Sequence, residues 1–253
     1  TYVDYALENG IVQAGDFTSY TAKATRGQMA YLFSRALPAS VLPSINNVQT
    51  LPDVTSSTKY SQEIFSLYNA GVLTGSDVFG TFKPNDNIIR AEAAAILTRV
   101  ALPTQRKTVV LMKQVQWGVA KLAIPQSAGA GVTENGMYTV TSEQDACGVI
   151  ATSVTDSAYK GLSVTVLTEQ QMNNILTQAF NSTDGKLSNA KSTKVSFGSV
   201  KAYRTVGILT TDEGAGDCLI FTYITGNKMD MICLLAYEND TALKNMANGL
   251  MVG

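Results

Sequence analysis

Arg26 and Arg90 each stand at the head of a segment with helical apolar spacing, and Glu92 follows the second arginine by two positions. A guanidinium presents a rigid fork of N–H donors that matches a carboxylate, and a helix N-terminus adds its own preference for negative charge. That combination can hold an anion. The same residues admit an internal use, in which each arginine donates to neighbouring loop carbonyls and Glu92 only complements the helix dipole. Spacing alone leaves both readings open.

Other chemistry has few carriers. The 253 residues include no histidine, which removes the commonest general base, nucleophile activator and zinc ligand. Glu143 and Asp145 form one local acidic pair, and Asp212-Glu213-Gly214-Ala215-Gly216-Asp217 forms another cluster. Carboxylate pairs hydrolyse glycosides only where the fold sets their separation and raises one pKa. In predicted loops between strands they are expected to be solvated charge. The second cluster lacks the oxygen spacing of an EF-hand loop, so neither calcium nor any other metal or cofactor is expected. Cys147, Cys218 and Cys233 form no C-x-x-C pair and read as small buried hydrophobes. Whether Cys218 and Cys233 form a disulfide depends on register across the turn Thr225–Lys228. Trp117 is expected in a core or at a domain interface rather than stacked on a sugar.

Composition narrows the partners. A hydrophobic fraction of 45% with 15% charged residues describes a folded protein with a substantial core. With a net charge of −1 there is no basic field to gather nucleic acid or an anionic membrane. No apolar run approaches the ~18 residues of a membrane span. Any signal peptide is expected to have been removed or to lie upstream.

The elements that must position the arginines come as an internal repeat. Ala6–Leu37 and Leu67–Ala101 match in order: Gly10-Ile11-Val12 answers Gly71-Val72-Leu73, Asp16 answers Asp77, and Arg26 answers Arg90. Each unit reads as a helix closed by glycine, a polar loop and a second helix. Met29, Leu32, Phe33 and Ala36 in one copy, and Ala93, Ile96, Leu97 and Val100 in the other, are expected to face a shared core. Thr25-Arg26-Gly27-Gln28 has capping-box spacing. In the second copy Ile89 stands in the threonine's place, and Asn87 or Asp86 is expected to cap slightly earlier.

These units resemble S-layer homology (SLH) repeats. The second carries the resemblance from Leu51-Pro52-Asp53-Val54 through Tyr60, Ile64, Ala70–Gly75, Phe82-Lys83-Pro84-Asn85 and Ile89-Arg90-Ala91-Glu92 to Arg99. The first starts late, inside its opening helix. The resemblance implies an all-α bundle of helix-loop-helix repeats over residues 1–102, with a truncated repeat one (1–38) and repeat two (51–102). It implies non-covalent anchoring to an anionic, often pyruvylated, secondary cell-wall polysaccharide of Gram-positive envelopes, on a secreted, extracellular, S-layer-associated protein. In the family three repeats usually pack together with ligand in the grooves, and two copies are visible here, so a complete groove does not follow from the resemblance. By this resemblance Arg26, Gln28, Arg90, Glu92, Asp77, Lys83 and Asn85 are the expected polysaccharide-binding residues. Gly27-Gln28 in place of Ala-Glu, and Ile89 in place of Thr, depart from the family's Thr-Arg-Ala-Glu motif.

Beyond the connector Pro103–Lys107 the pattern changes, and residues 108–253 are expected to form a separate α+β domain. Lys121–Pro125, Gly136–Thr141, Ala146–Ser153, Lys194–Phe197, Ala202–Thr210, Cys218–Thr225 and Lys228–Tyr237 read as strands. Thr168–Phe180 and Asn239–Met251 read as capped helices, Ser182–Gly185 as a turn, and Gly226-Asn227 as a hairpin tip. An antiparallel sheet with its helices on one face is the expected architecture. This order, with Lys121–Pro125 and Ser199–Tyr203, resembles a PsbP-like α+β sandwich, which implies an interaction domain and transfers no functional residues. The expected protein is a non-catalytic, wall-anchored one. An anchored glycan hydrolase, or a degenerate repeat module with a structural or protein-interaction role, are the alternatives.

Overall fold

A computed structural model describes residues 1–181 and 185–253; of the expected turn at Ser182–Gly185, the first three residues lie outside the described ones. The chain is an α+β protein with six α-helices and antiparallel sheets among the described residues. It divides into two compact units, Thr1–Leu111 and Met112–Gly253.

The first unit holds α1 (Tyr2–Glu8), α2 (Arg26–Arg35), α3 (Ser61–Asn69) and α4 (Arg90–Ala101), joined by loops and short 3-10 turns. Gly10 and Gly71 close α1 and α3 with φ of +67° and +71°, where a side chain would be strained. Thr25 caps α2 as its spacing predicts: Gln28 N–H donates to Thr25 Oγ1 at 3.2 Å, and Thr25 N–H donates to Gln28 Oε1 at 2.8 Å. In the second copy Ile89 is the cap position, and its N–H donates to Glu92 Oε2 at 3.1 Å. Asp86 and Asn87 do not cap α4, because their backbone faces repeat one instead.

The core of this unit is built from Ile64, Leu67, Tyr68, Leu73, Phe82 and Ile96, with Leu51, Val54, Ala30 and Leu111 packed among them. The expected helical stripes are rotated. On α2 the buried face is Gly27, Ala30 and Tyr31, while Met29, Leu32 and Phe33 are half-buried and Ala36 is exposed. On α4 only Ile96 is fully buried, and Leu97 is 49% exposed. Small residues let the start of α2 approach the facing loop backbone, and that contact sets the rotation.

The second unit contains two sheets. The smaller orders β1 (Met112–Trp117), β2 (Ala120–Pro125) and, after the final helix, the short β10 (Met251–Val252) as β1-β2-β10. The larger uses β3 (Val132–Glu134), β4 (Met137–Ser142), β5 (Cys147–Thr155), β6 (Lys186–Phe197), β7 (Val200–Thr211), β8 (Gly214–Thr225) and β9 (Lys228–Ala236) in the order β3-β4-β5-β9-β8-β7-β6, antiparallel throughout. Two helices accompany it, α5 (Glu169–Asn181) between β5 and β6 and α6 (Asp240–Gly249) after β9.

These helices do not share one face of the sheet. Cys233 and Leu235 of β9 join Met172, Leu176 and Phe180 of α5 in one cluster, with Leu187, Tyr203, Leu209 and Ile220. The alternate residues Ile232, Leu234 and Ala236 point the other way and are just as buried, because α6 rests on β2, β8 and β9. A central strand apolar on both sides needs cover on both sides. Each large α5 side chain so buried contributes roughly 1.5–3 kcal/mol. Thr168 and Asn239 cap the two helices, accepting from Gln171 N–H at 3.2 Å and Ala242 N–H at 3.0 Å.

The cysteine expectation is met in part. All three are buried and free. Register places Cys218 opposite Leu235 and Cys233 opposite Ile220, so the two are diagonal neighbours on one face. Their thiols share a hydrogen bond, which lowers the pKa of Cys218 and, together with burial, raises that of Cys233. Burial lifts Cys147 to about 12. Trp117 is half-buried at the end of β1.

The two helix-closing glycines differ in one testable respect. A Cβ on Gly71 would lie 2.6 Å from Ile45 Cδ1 and 2.7 Å from the Lys107 carbonyl oxygen, whereas one on Gly10 would meet nothing within 4 Å. Gly10→Ala should cost only the left-handed backbone penalty of about 1–2 kcal/mol. Gly71→Ala should cost clearly more, because backbone must also move. Urea unfolding of the two variants checks the order.

Candidate functional site

The candidate site is the seam where the start of α2 meets the loop preceding α4. Three backbone hydrogen bonds make it, and two of them constitute one antiparallel bridge. Arg26 N–H donates to the Asp86 carbonyl at 2.9 Å, Gly27 N–H to the Pro84 carbonyl at 2.9 Å, and Ile88 N–H to the Ala24 carbonyl at 3.1 Å, while Thr25 and Asn87 form an antiparallel bridge. Gly27 makes a close approach here, since a Cβ would stand 3.1 Å from the Pro84 oxygen and would need the loop to give slightly.

The Arg26 side chain is consumed by this seam. Its Nε donates to the Phe82 carbonyl at 2.6 Å, its Nη1 to Glu92 Oε1 at 2.5 Å, and the guanidinium carbon lies 5.1 Å from the Phe82 ring centroid. Only 10% of the side chain is exposed, against 39% for Glu92. Glu92 therefore serves both repeats: one oxygen takes the arginine of repeat one, the other holds the first turn of α4. Of the two open uses of the arginines, Arg26 takes the internal one.

The loop carrying the remaining expected residues is held by two carboxylates. Asp53 accepts from Phe82 N–H at 2.9 Å and Lys83 N–H at 2.6 Å, which fixes Lys83 at φ +59°. Asp77 accepts from the N–H groups of Phe79 and Thr81, both at 3.0 Å, and from the Thr81 hydroxyl at 2.6 Å. Desolvation pushes the Asp77 carboxyl up, but the Thr81, Phe79 and Gly80 donors outweigh it and leave the pKa lowered. Asp77 is thus a loop brace.

Lys83, Asn85 and Arg90 are different. All three are exposed, and among the described residues their side chains make no hydrogen bond or ion pair. Of the seven expected binding residues, the structure joins Arg26 to Glu92, ties Gln28 to Thr25, confines Asp77 to its own loop, and gives these three no side-chain partner among the described residues. Gln28 also lines a cavity of about 260 Å3 in repeat one.

Sequence reasoning passed over an aromatic row beside the seam. Tyr31 packs on Tyr60 with ring centroids 4.9 Å apart and planes tilted by 39°, Phe17 meets Tyr31 edge-on at 6.1 Å, and Lys59 Nζ lies 4.8 Å from the Tyr60 centroid. Tyr31 donates to Asp16 Oδ2 at 2.6 Å. Burial, then this bond, lifts Tyr31 to about 12, and the same bond lowers the Asp16 carboxyl. Tyr60 holds a left-handed φ of +66° at the head of α3. The only signal was Tyr60 itself, within the repeat match.

In the second unit the acidic residues separate. Asp145 accepts from the Ser142 hydroxyl at 3.1 Å and from Ser127, bracing its turn. Asp217 lies within β8 and not in a loop with Asp212. Glu143, Asp212 and Glu213 line one cavity of about 580 Å3 with Thr139, Thr141 and Tyr237. Among the described residues, no group of three or more His, Cys, Asp or Glu side chains is arranged to hold a metal ion.

Comparison with known proteins bears on the first unit. Residues 50–94 match the S-layer homology domain. The SLH match spans Asp53, Tyr60, Asp77, Lys83, Asn85, Arg90 and Glu92, and ends within α4. No curated protein matches the sequence. Among solved structures, the cyanobacterial PsbP (CyanoP) from Synechocystis sp. PCC 6803 superposes with a TM-score of 0.44 at 11% identity, covering 58% of this chain and 95% of that one. A protein from Bacteroides thetaiotaomicron VPI-5482 gives 0.36 at 8% identity, covering 53% and 45%. No helix among the described residues is long and apolar enough to cross a membrane.

Removing Arg26 should strand Glu92 and a loop carbonyl together. Arg26→Ala is expected to destabilise the first unit by about 2 kcal/mol, below the 3–5 of a fully buried pair because Glu92 is partly solvated. Arg90→Ala, which breaks no contact, should stay within about 0.5 kcal/mol. Urea unfolding followed by tyrosine fluorescence measures both. Because Asp16 and Asp77 have lowered pKa values in the folded state, their contribution is present above the ordinary carboxylate range. It should fade as pH falls through the folded values. Asp77→Asn should flatten that acid limb, as read from unfolding midpoints between neutral pH and pH 2.

Proposed function

We propose that the first unit anchors the protein at the cell surface by binding an anionic cell-wall polysaccharide, and that the second unit is displayed as a non-catalytic interaction domain. In this reading the repeats form the all-α SLH module expected from residues 1–102, on a secreted protein of a Gram-positive envelope. The supporting observation is that Arg90 and Lys83, both inside the SLH match, are the exposed cations of the seam with no internal partner. Arg90 sits at the head of a 12-residue helix, where guanidinium and helix N-terminus act together on a carboxylate such as a ketal-linked pyruvate. Asn85 supplies a neutral donor and acceptor for sugar hydroxyls. Arg26, Glu92, Asp53 and Asp77 act at one remove, holding the loop that presents these groups.

Glu143, Asp212 and Glu213 in one cavity favour, as a second reading, a wall-glycan hydrolase carried by the same anchor. Turnover of peptidoglycan or wall glycan that disappears in Glu143→Gln would establish it.

Co-sedimentation with purified cell walls, with and without their secondary polysaccharide, tests the anchor. Arg90→Ala should weaken pelleting about tenfold or more, the loss expected for one charge-assisted contact. Lys83→Ala should weaken it less, and added salt should weaken all variants. Equal pelleting with and without the polysaccharide would refute the glycan reading.

A further inference from the structure

The second unit holds a cavity on the face of its large sheet that α5 covers only in part. Cys233 and Leu235 of β9 belong to the α5 cluster. Register carries the same face outward from Leu235 to Gly148 and Thr141, and from Cys233 to Ile150 and Thr139. α5 itself packs on β6, toward the opposite edge of the sheet from β4. The uncovered part is the cavity of about 580 Å3, with Ile150, Leu235 and the two threonines in its lining. Gly148 puts no side chain into it, and a Cβ there would stand 2.9 Å from the Val140 carbonyl oxygen.

The charged part of the lining is of one sign. Glu143 comes from the β4–β5 turn, Asp212 and Glu213 come from the β7–β8 turn, and all three are exposed. Among the described residues these carboxylates make no hydrogen bond or ion pair, and neither do the hydroxyls of Thr139 and Thr141. Among the same residues no lysine or arginine lines the cavity, and Lys186, across from Thr210, stays outside the lining. Tyr237 completes it, with its hydroxyl 2.9 Å from Thr211 Oγ1. A concavity of this size with apolar surface and a few convergent polar groups suits a small organic ligand. Three unpaired carboxylates select a cation, the free hydroxyls match alcohol groups, and the aromatic and aliphatic surface asks for an apolar face.

We propose that this cavity binds a glycan bearing free amino groups, a chain of 2-amino-2-deoxy sugars. The ammonium groups would meet Glu143, Asp212 and Glu213, ring hydroxyls would meet Thr139 and Thr141, and one C–H face would lie against Tyr237 and Ile150. A lysine side chain would satisfy the carboxylates and leave the threonine hydroxyls idle, whereas a neutral sugar would do the reverse. An amino sugar carries all three kinds of group on one ring. The proposal rests on the reading of the second unit as an interaction domain, whose ligand it names, and is independent of Arg90 and Lys83.

The test titrates a β-1,4-linked tetramer of glucosamine into the 253-residue protein, with isoleucine and leucine methyl groups observed by NMR. Saturable shifts are expected at Ile150 and Leu235, with an affinity on the order of 0.1 mM for so small a ligand. The fully N-acetylated tetramer keeps the rings and loses the charge, so it should bind about tenfold or more weakly. Asp212→Asn combined with Glu213→Gln should weaken binding by about tenfold and flatten its salt dependence, with an unchanged Tm because both side chains are exposed. Thr139→Val, which removes a free hydroxyl at constant shape, should weaken it about threefold. Arg90→Ala should leave it unchanged. Absent shifts would overturn the proposal, as would equal binding of the acetylated tetramer or tighter binding of tetralysine at the same methyl groups. Cleavage of a bound glucosamine tetramer would instead refute the non-catalytic reading and uphold the ligand class.

Discussion

Everything in the first unit depends on how the front of one repeat closes on the loop of the next. Arg26 is the fixture: one donor on the Phe82 carbonyl, one on Glu92, and its guanidinium carbon over the Phe82 ring. A lysine could supply the charge but not two directed donors and a stacking plane. With the guanidinium set, the backbone exchanges at Thr25–Gly27 and Pro84–Ile88 fall into register. At Ile89 only the reciprocal half of the box remains: Glu92, held by Arg26, accepts from the Ile89 N–H, and among the described residues no side chain takes the threonine hydroxyl's part.

The same closure explains why two arginines that look identical in sequence serve different purposes. The interaction runs from repeat one to repeat two and is not returned, as expected for a head-to-tail contact between like units. The forward arginine is spent inside the seam and the rear one, Arg90, faces solvent. Arg26 therefore carries a structural task that Arg90 does not.

Local features were legible because local chemistry sets them. The Thr25–Gln28 capping box, the glycine closures at Gly10 and Gly71, the Gly226-Asn227 hairpin and the caps of α5 and α6 each involve residues within a few positions of one another. What escaped was non-local. Glu92 lies 66 positions from Arg26, so no spacing argument pairs them. The stripes on α2 and α4 were assigned by apolar content, yet α2 turns its Gly27-Ala30-Tyr31 face inward, with Gly27 against the Pro84 backbone and Tyr31 against Tyr60. The first half of β6 was missed because Lys186–Ser192 shows no apolar alternation and its pairing slips between Ser188 and Lys191. The placement of α5 and α6 on opposite faces follows from β9 being apolar at consecutive positions, a pattern visible in Ile232-Cys233-Leu234-Leu235-Ala236 but read as one-sided.

That slip in β6 has a bearing on how the second unit behaves among copies of itself. β6 is the outermost strand of the seven-stranded sheet, twelve residues long, and a straight strand of that length would offer a continuous row of unpaired amides and carbonyls to a neighbour. The irregularity at Ser188–Lys191, the left-handed Asn189 and the exposed Lys186, Lys191 and Lys194 break that row and charge it. A protein held at high local density would need this edge blunted, so that proximity on a shared support does not turn into strand exchange and fibre growth.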